Sequence, residues 1–385
     1  MSLWIVVPAP NLTLLTFGVG APEISPWLVL LNAIALLLAV VQPKVSLLPQ
    51  AALILSLLGL FLSCLPLSQI PATTARFEQE ITQVLGTNYL DQIPLSLRAK
   101  MRPQPFVLRD TFRGIPLPEV RITKGIIFDT PETAELKLNL YQPLASGKYP
   151  AIVVLYGGAW QRGTASNDEA FSRYMAGQGY SVVAIDYRHA PKYKFPAQLE
   201  DVQTALQYIV DNAEKLEVNS DLVAIMGRSA GGHLAKLAAY QPNAIPFRAV
   251  VSYYGPVDLT EGYKDLPVPE PIKIRQVLRD FLGGSPQEIP DVYQAASPIT
   301  YVRPNLPPSL LVYAQNDHVV KSEFGDRLSR QLRSADNLTV FLDLPWAEHA
   351  FDAIFSGVSN QIALYYSERF LAWALLVDSE LQQNS

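Results

Sequence analysis

Residues 222–240 read LVAIM, then GRSAG, then GHLAKLAAY. The first five suit a strand covered on both faces, and the last nine suit a helix. A G-x-S-x-G pentapeptide alone is a weak signal. Between a strand and a helix, however, it marks a sharp turn that holds the serine hydroxyl exposed, with glycines where side chains would collide as the two elements close. Ser229 is therefore the candidate nucleophile, flanked by Gly227 and Gly231. The plainer alternative is a serine that caps a helix, and its potential partners decide between the two.

Working outward, further short apolar runs alternate with helical stretches. AIVVLY at 151–156, SVVAID at 181–186, RAVVSYY at 248–254, SLLVYA at 309–314 and LTVFLDL at 338–344 read as strands. Helical patterns lie near 166–178, 198–213, 229–240, 323–335 and 359–376. Residues 119–128 and 134–141 instead alternate in polarity, as expected of an antiparallel entry to the sheet. The expected fold class is α/β, a mostly parallel central sheet flanked by helices.

A serine hydroxyl needs a base, and the base needs an acceptor that fixes its tautomer. Four histidines compete. His233 lies one helical turn beyond Ser229 and would follow its helix into packing. His189 comes early in the chain, and His318 neighbours an acid candidate. His349 follows the last strand in a loop able to reach back, so it is the candidate general base. Asp317 stands at the carboxyl end of the strand 309–314, where open α/β sheets place their sites. Its rival, Asp343, lies within a strand. The resulting order, Ser229, Asp317, His349, is that of an α/β-hydrolase. For the oxyanion of an acyl-transfer intermediate, the backbone N–H groups of Gly157, Gly158 and Ala230 are the candidate donors.

These residues resemble the esterase and lipase branch of the α/β-hydrolases, which includes the hormone-sensitive-lipase-like carboxylesterases and related bacterial esterases. DYRHAP at 186–191, FPAQLEDV at 195–202 and SAGGHL at 229–234 carry the likeness, which covers roughly residues 119–377. The resemblance implies a carboxylic ester hydrolase acting on a small-molecule ester, with no metal and no organic cofactor, and a small cap at about 256–300. Two departures stand out: Tyr156 replaces the histidine that commonly opens the oxyanion segment, and Ala159 replaces a frequent third glycine. The same triad could instead cleave amides, as in peptidases or formamidases, because the fold does not decide this. A non-catalytic binding protein built on a hydrolase shell is a third reading, supported by Tyr156 alone.

The chain holds thirty basic and thirty-five acidic side chains, yet residues 1–70 contain only Glu23 and Lys44. Two apolar runs, about 26–42 and 51–67, read as a transmembrane helical hairpin that would tie the protein to a lipid bilayer. At about 1.5 Å per residue each approaches the roughly 30 Å hydrocarbon core. The expected organisation is a membrane anchor at 1–70, a connector at 71–115 and an α/β-hydrolase domain at 116–377. A net charge of −5 without a basic block excludes nucleic acid as a partner. Lys44 and the later trio Arg98, Lys100 and Arg102 point to opposite membrane orientations. Oligomeric state cannot be read from the sequence.

Overall fold

The computed structural model describes residues 1–42 and 47–376. The loop that carries Lys44, and Val377, the last residue of the expected hydrolase domain, lie outside them.

The alternating half of the chain builds one eight-stranded sheet of order β1-β2-β4-β3-β5-β6-β7-β8. Strands β1 (Arg121–Asp129) and β2 (Leu136–Gln142) pair antiparallel, and β2 runs antiparallel to β4. The remaining strands, β3 (Tyr149–Leu155), β4 (Ser181–Ile185), β5 (Val218–Arg228), β6 (Ala249–Tyr253), β7 (Ser309–Ala314) and β8 (Thr339–Leu344), are parallel. This is the α/β-hydrolase architecture that the resemblance implies.

Continuous apolar runs are needed because both faces of the sheet are buried. Along β3, Ala151, Val153 and Leu155 enter one apolar layer while Ile152 and Val154 enter the other. The first layer includes residues of helices Ala197–Asp211, Ala230–Tyr240 and Ser322–Ser334. The second includes residues of Glu169–Gln178 and Val358–Leu376. Between β6 and β7 the chain inserts three short helices, Leu259–Lys264, Ile274–Leu282 and Pro290–Ala295.

The front of the chain departs from expectation. Three helices open it: α1 (Leu12–Glu23), α2 (Ser25–Val41) and α3 (Leu47–Leu85). The second apolar run does not end at 67. It continues as one 39-residue helix through Pro66 and Pro71. Packing explains the continuation: Phe77, Ile81 and Leu85 recur every fourth residue and are buried in the second apolar layer, Phe77 edge-on to Tyr366 at 5.6 Å. Residues 71–115, expected as a connector, pack on the body. Tyr89, Ile93, Leu97 and Met101 are buried in the same layer. Arg102 is also buried, bonded to Asp110 at 3.1 Å and to Gln361 at 2.8 Å. Within the described residues, α3 alone is long and apolar enough to cross a bilayer; α2 qualifies only together with α1, from which it is bent by 83°.

Candidate active site

The nucleophile turn follows from its glycines. β5 ends at Arg228, Ser229 takes φ 49° and ψ −120°, and the next helix begins at Ala230. That left-handed conformation is strained for a side chain. It is held by the Ser229 N–H, which donates to Tyr253 O on β6 at 2.9 Å, and by Ser229 O, which accepts from His233 N at 2.9 Å. A Cβ on Gly227 would lie 2.2 Å from Gly231 O, and one on Gly231 would lie 2.2 Å from Leu155 O. Both obstacles are backbone, so only glycine fits.

Ser229, His349 and Asp317 meet at this turn. His349 Nε2 lies 2.9 Å from Ser229 Oγ although 120 residues separate them. Its Nδ1 lies 2.8 Å from Asp317 Oδ2. Asp317 Oδ1 accepts the N–H groups of Val319 and Val320, each at 2.7 Å, which leaves Oδ2 for the imidazole. Burial by itself pushes the His349 imidazole below its ordinary 6.5. The charge and hydrogen bond of Asp317, with Glu348 and Asp352 nearby, outweigh burial and leave the value raised. The arrangement can accept a proton from the serine hydroxyl and stabilise the resulting cation. Asp343, the rival acid, instead pairs with Arg76 of α3 at 2.8 Å.

Glu348 clamps together the two loops that supply acid and base. Its Oε1 accepts from His318 N at 2.7 Å and from His349 N at 3.0 Å, while its Oε2 bonds His318 Nδ1 at 2.7 Å. That bond raises the His318 pKa above its ordinary value.

The candidate oxyanion segment passes in contact with Ser229: a Cβ on Gly157 would lie 3.2 Å from Ser229 Cβ. Among the described residues, the N–H groups of Gly157, Gly158 and Ala230 have no hydrogen-bond acceptor, so they are free to donate to a bound oxygen. Tyr156, the departure from the family pattern, is buried beneath this segment. Its ring stacks on Tyr187 at 4.4 Å and its hydroxyl meets His189 Nε2 at 2.9 Å. Tyr187 OH in turn donates to Tyr156 O at 2.9 Å. His233 is structural: Nε2–H donates to Ala296 O at 2.6 Å, Nδ1 accepts from Trp160 Nε1 at 3.2 Å, and burial lowers its pKa to about 3.

Sequence reasoning missed a second polar group behind the serine. Arg228 lies between Asp352, to which Nε donates, and Asp168 at 3.3 Å, with Phe171 and Tyr253 rings against its guanidinium at 4.8 and 5.5 Å. Tyr254 OH also donates to Asp352, and its ring packs 4.7 Å from that of His349. Burial pushes the Asp168 carboxyl up to about 6 against the attraction of Arg228. The readable signal was a charged residue inside G-x-S-x-G, which a buried turn tolerates only with carboxylate partners. Also missed was α1, whose Leu12, Leu15 and Val19 line a cavity of about 570 Å³ shared with Ser229 and His349. A narrow apolar cleft of about 60 Å³ adjoins Ser229 on the other side, between Trp160 and Leu278 of the insertion. Among the described residues no group of three or more His, Cys, Asp or Glu side chains could hold a metal ion.

The chain is similar in sequence and in fold to known proteins. The BD-FAE family profile matches residues 138–332. The chain is 31% identical to the probable carboxylic ester hydrolase LipM of Mycobacterium tuberculosis over 241 residues, 59% of this chain and 55% of that protein. It is 32% identical to esterase LipC of the same organism over 238 residues, 57% of this chain and 58% of that one. The chain thus spans little more than half the length of these curated relatives. Among solved structures, a Pyrobaculum calidifontis esterase matches with a TM-score of 0.58 and 25% identity, over 67% of this chain and 85% of that one.

Proposed function

The chain belongs to the BD-FAE family, within the esterase branch of the α/β-hydrolases, and from that premise we propose that it is a membrane-anchored serine hydrolase of carboxylic esters. The observation that carries the proposal is the continuous relay from Ser229 Oγ through His349 to Asp317, at 2.9 and 2.8 Å. Ser229 Oγ attacks the ester carbonyl as His349 Nε2 takes its proton. The N–H groups of Gly157, Gly158 and Ala230 hold the oxyanion, a single such donor being worth about 2.7–4 kcal/mol. His349 then returns the proton to the departing alcohol. Water, activated by the same imidazole, releases the acid from the acyl-serine.

Anchoring is supported by the faces of α2 and α3, which pack side by side. Their outer faces are apolar and exposed, Leu37 at 68% and Leu55 at 65%. In their middle turns the polar side chains are withdrawn from the surface, Ser56 and Ser63 buried and Asn32 half-buried. Asn32 Nδ2 donates to Leu28 O at 2.7 Å and to Ser2 Oγ at 3.0 Å, and Ser63 Oγ donates to Gly59 O at 2.7 Å. Apolar outside with hydrogen-bonded polar groups inside is the pattern a bilayer demands. The domain limits that follow are an anchor formed by the hairpin and a hydrolase domain onto which the lower half of α3 is built.

The test is labelling of a membrane fraction with a fluorophosphonate probe. The unaltered chain is expected to label and to stay with the membrane after a salt wash. Ser229→Ala should abolish labelling without releasing the protein. Labelling that survives Ser229→Ala refutes the nucleophile, and release by salt refutes the anchor.

A further inference from the structure

The cavity that holds Ser229 and His349 is lined in part by Leu12, Thr16 and Val19 of α1, which the hydrolase likeness does not include. Glu23 pins this helix down. Its buried carboxyl group accepts the Ser359 N–H at 2.8 Å, and a Cβ on Gly357 would lie 2.5 Å from Glu23 Oε2, so the helix end is seated tightly on the body. At Ile24 the chain then turns through 83° into α2. If α2 runs across a bilayer, α1 lies close to the membrane plane.

The side of α1 away from the cavity is also apolar. Phe17 is exposed and stacks on Trp4 with centroids 6.3 Å apart, next to exposed Leu3, Val6 and Val7 of the preceding turn. Residues 1–22 carry no charged side chain. Held at that angle to a spanning α2, α1, which carries no charge over residues 12–22, lies along the membrane surface with apolar groups on both its sides. One face then meets lipid while the other walls the reacting serine.

From this we propose that the substrate class is a membrane-resident ester with a long acyl chain. The ester enters beneath α1, its chain lies along Leu12, Thr16 and Val19, and the smaller group of the ester takes the narrow cleft beside Trp160. The inference rests on Ser229 being the nucleophile and on the hairpin being the anchor. Cap contacts alone would favour small soluble esters, because the cleft lined by the insertion is only about 60 Å³ against about 570 Å³ on the α1 side.

The experiment uses the full chain reconstituted in phosphatidylcholine vesicles. Hydrolysis of 4-methylumbelliferyl oleate carried in the vesicles is compared with that of water-soluble 4-methylumbelliferyl butyrate. Val19→Trp and Thr16→Trp narrow the α1 side; Thr16 is exposed, so its replacement does not disturb a packed core. Both variants are expected to lower the ratio of oleate to butyrate kcat/KM by roughly tenfold or more, the discrimination an apolar pocket gives when its shape changes. An unchanged ratio in Thr16→Trp overturns the proposal, as does an unaltered chain that prefers butyrate. Fluorophosphonate labelling is run alongside. If the unaltered chain fails to label, the nucleophile reading fails; if it labels but ignores vesicle-borne oleate, only the substrate inference does.

Discussion

Replacing Asp317 by asparagine changes one atom of the relay and tests its logic. In the native chain Oδ1 accepts two backbone N–H groups at 2.7 Å and Oδ2 faces His349 Nδ1 at 2.8 Å. An amide at this position must keep its oxygen on the two backbone donors, because turning its NH₂ toward them would oppose donor to donor. The NH₂ therefore faces Nδ1 and forces that nitrogen to accept. The proton moves to Nε2, which then points at Ser229 Oγ as a donor and cannot take the hydroxyl proton. The expected loss in kcat is about 10⁴-fold, roughly 5.4 kcal/mol of barrier. The pH profile supplies a second readout. Ester cleavage needs neutral His349, whose raised value places the acid limb of the native enzyme above pH 6.5. Without the Asp317 charge, the lowering effect of burial gains weight, so the residual activity should persist to lower pH. Butyrate-ester turnover from pH 5 to 9, with thermal unfolding as a check on folding, measures both. A folded Asp317→Asn protein within tenfold of native kcat would refute the tautomer reasoning.

Two further outcomes follow from the packing behind the serine. Gly231→Ala should cost roughly 3 kcal/mol or more of stability, measured by urea unfolding, because the new methyl meets Leu155 O at 2.2 Å and backbone cannot yield cheaply. Arg228→Gln leaves Asp168 and Asp352 buried without their cation and should destabilise by about 3–5 kcal/mol at pH 8. Asp168 already has a raised folded value of about 6, so it favours the folded state while protonated and that benefit is lost as pH rises through 6. The Arg228→Gln deficit should therefore shrink on going from pH 8 to pH 5; a deficit independent of pH would show that the carboxylates do not feel the arginine.

The strands were legible because a sheet covered on both faces permits no polar interruption, and β3, β5 and β7 have none in their cores. Ser229, Asp317 and His349 could be selected on paper because a strand, a tight bend and four histidines leave few combinations. Other features depended on contacts across the chain. Residues 47–85 read as an apolar run followed by a polar stretch, with Pro66 and Pro71 near the junction; only the burial of Phe77 and Ile81 at the sheet makes them a single helix. The value of Arg228 is set by Asp168 and Asp352, which lie 60 and 124 positions away. Nothing local in Leu12 to Val19 marks a cavity wall, because an apolar residue facing a cleft and one facing lipid look the same in sequence.

The unbroken course of α3 also governs how the enzyme can move. If the hairpin is the anchor, α3 runs without a break from the lipid to the turns packed beside β8, and the catalytic body has no swivel between it and the bilayer. It would drift sideways with the membrane at a fixed height and tilt, and search for substrate in two dimensions, so turnover should respond to the surface density of ester and not to its bulk amount.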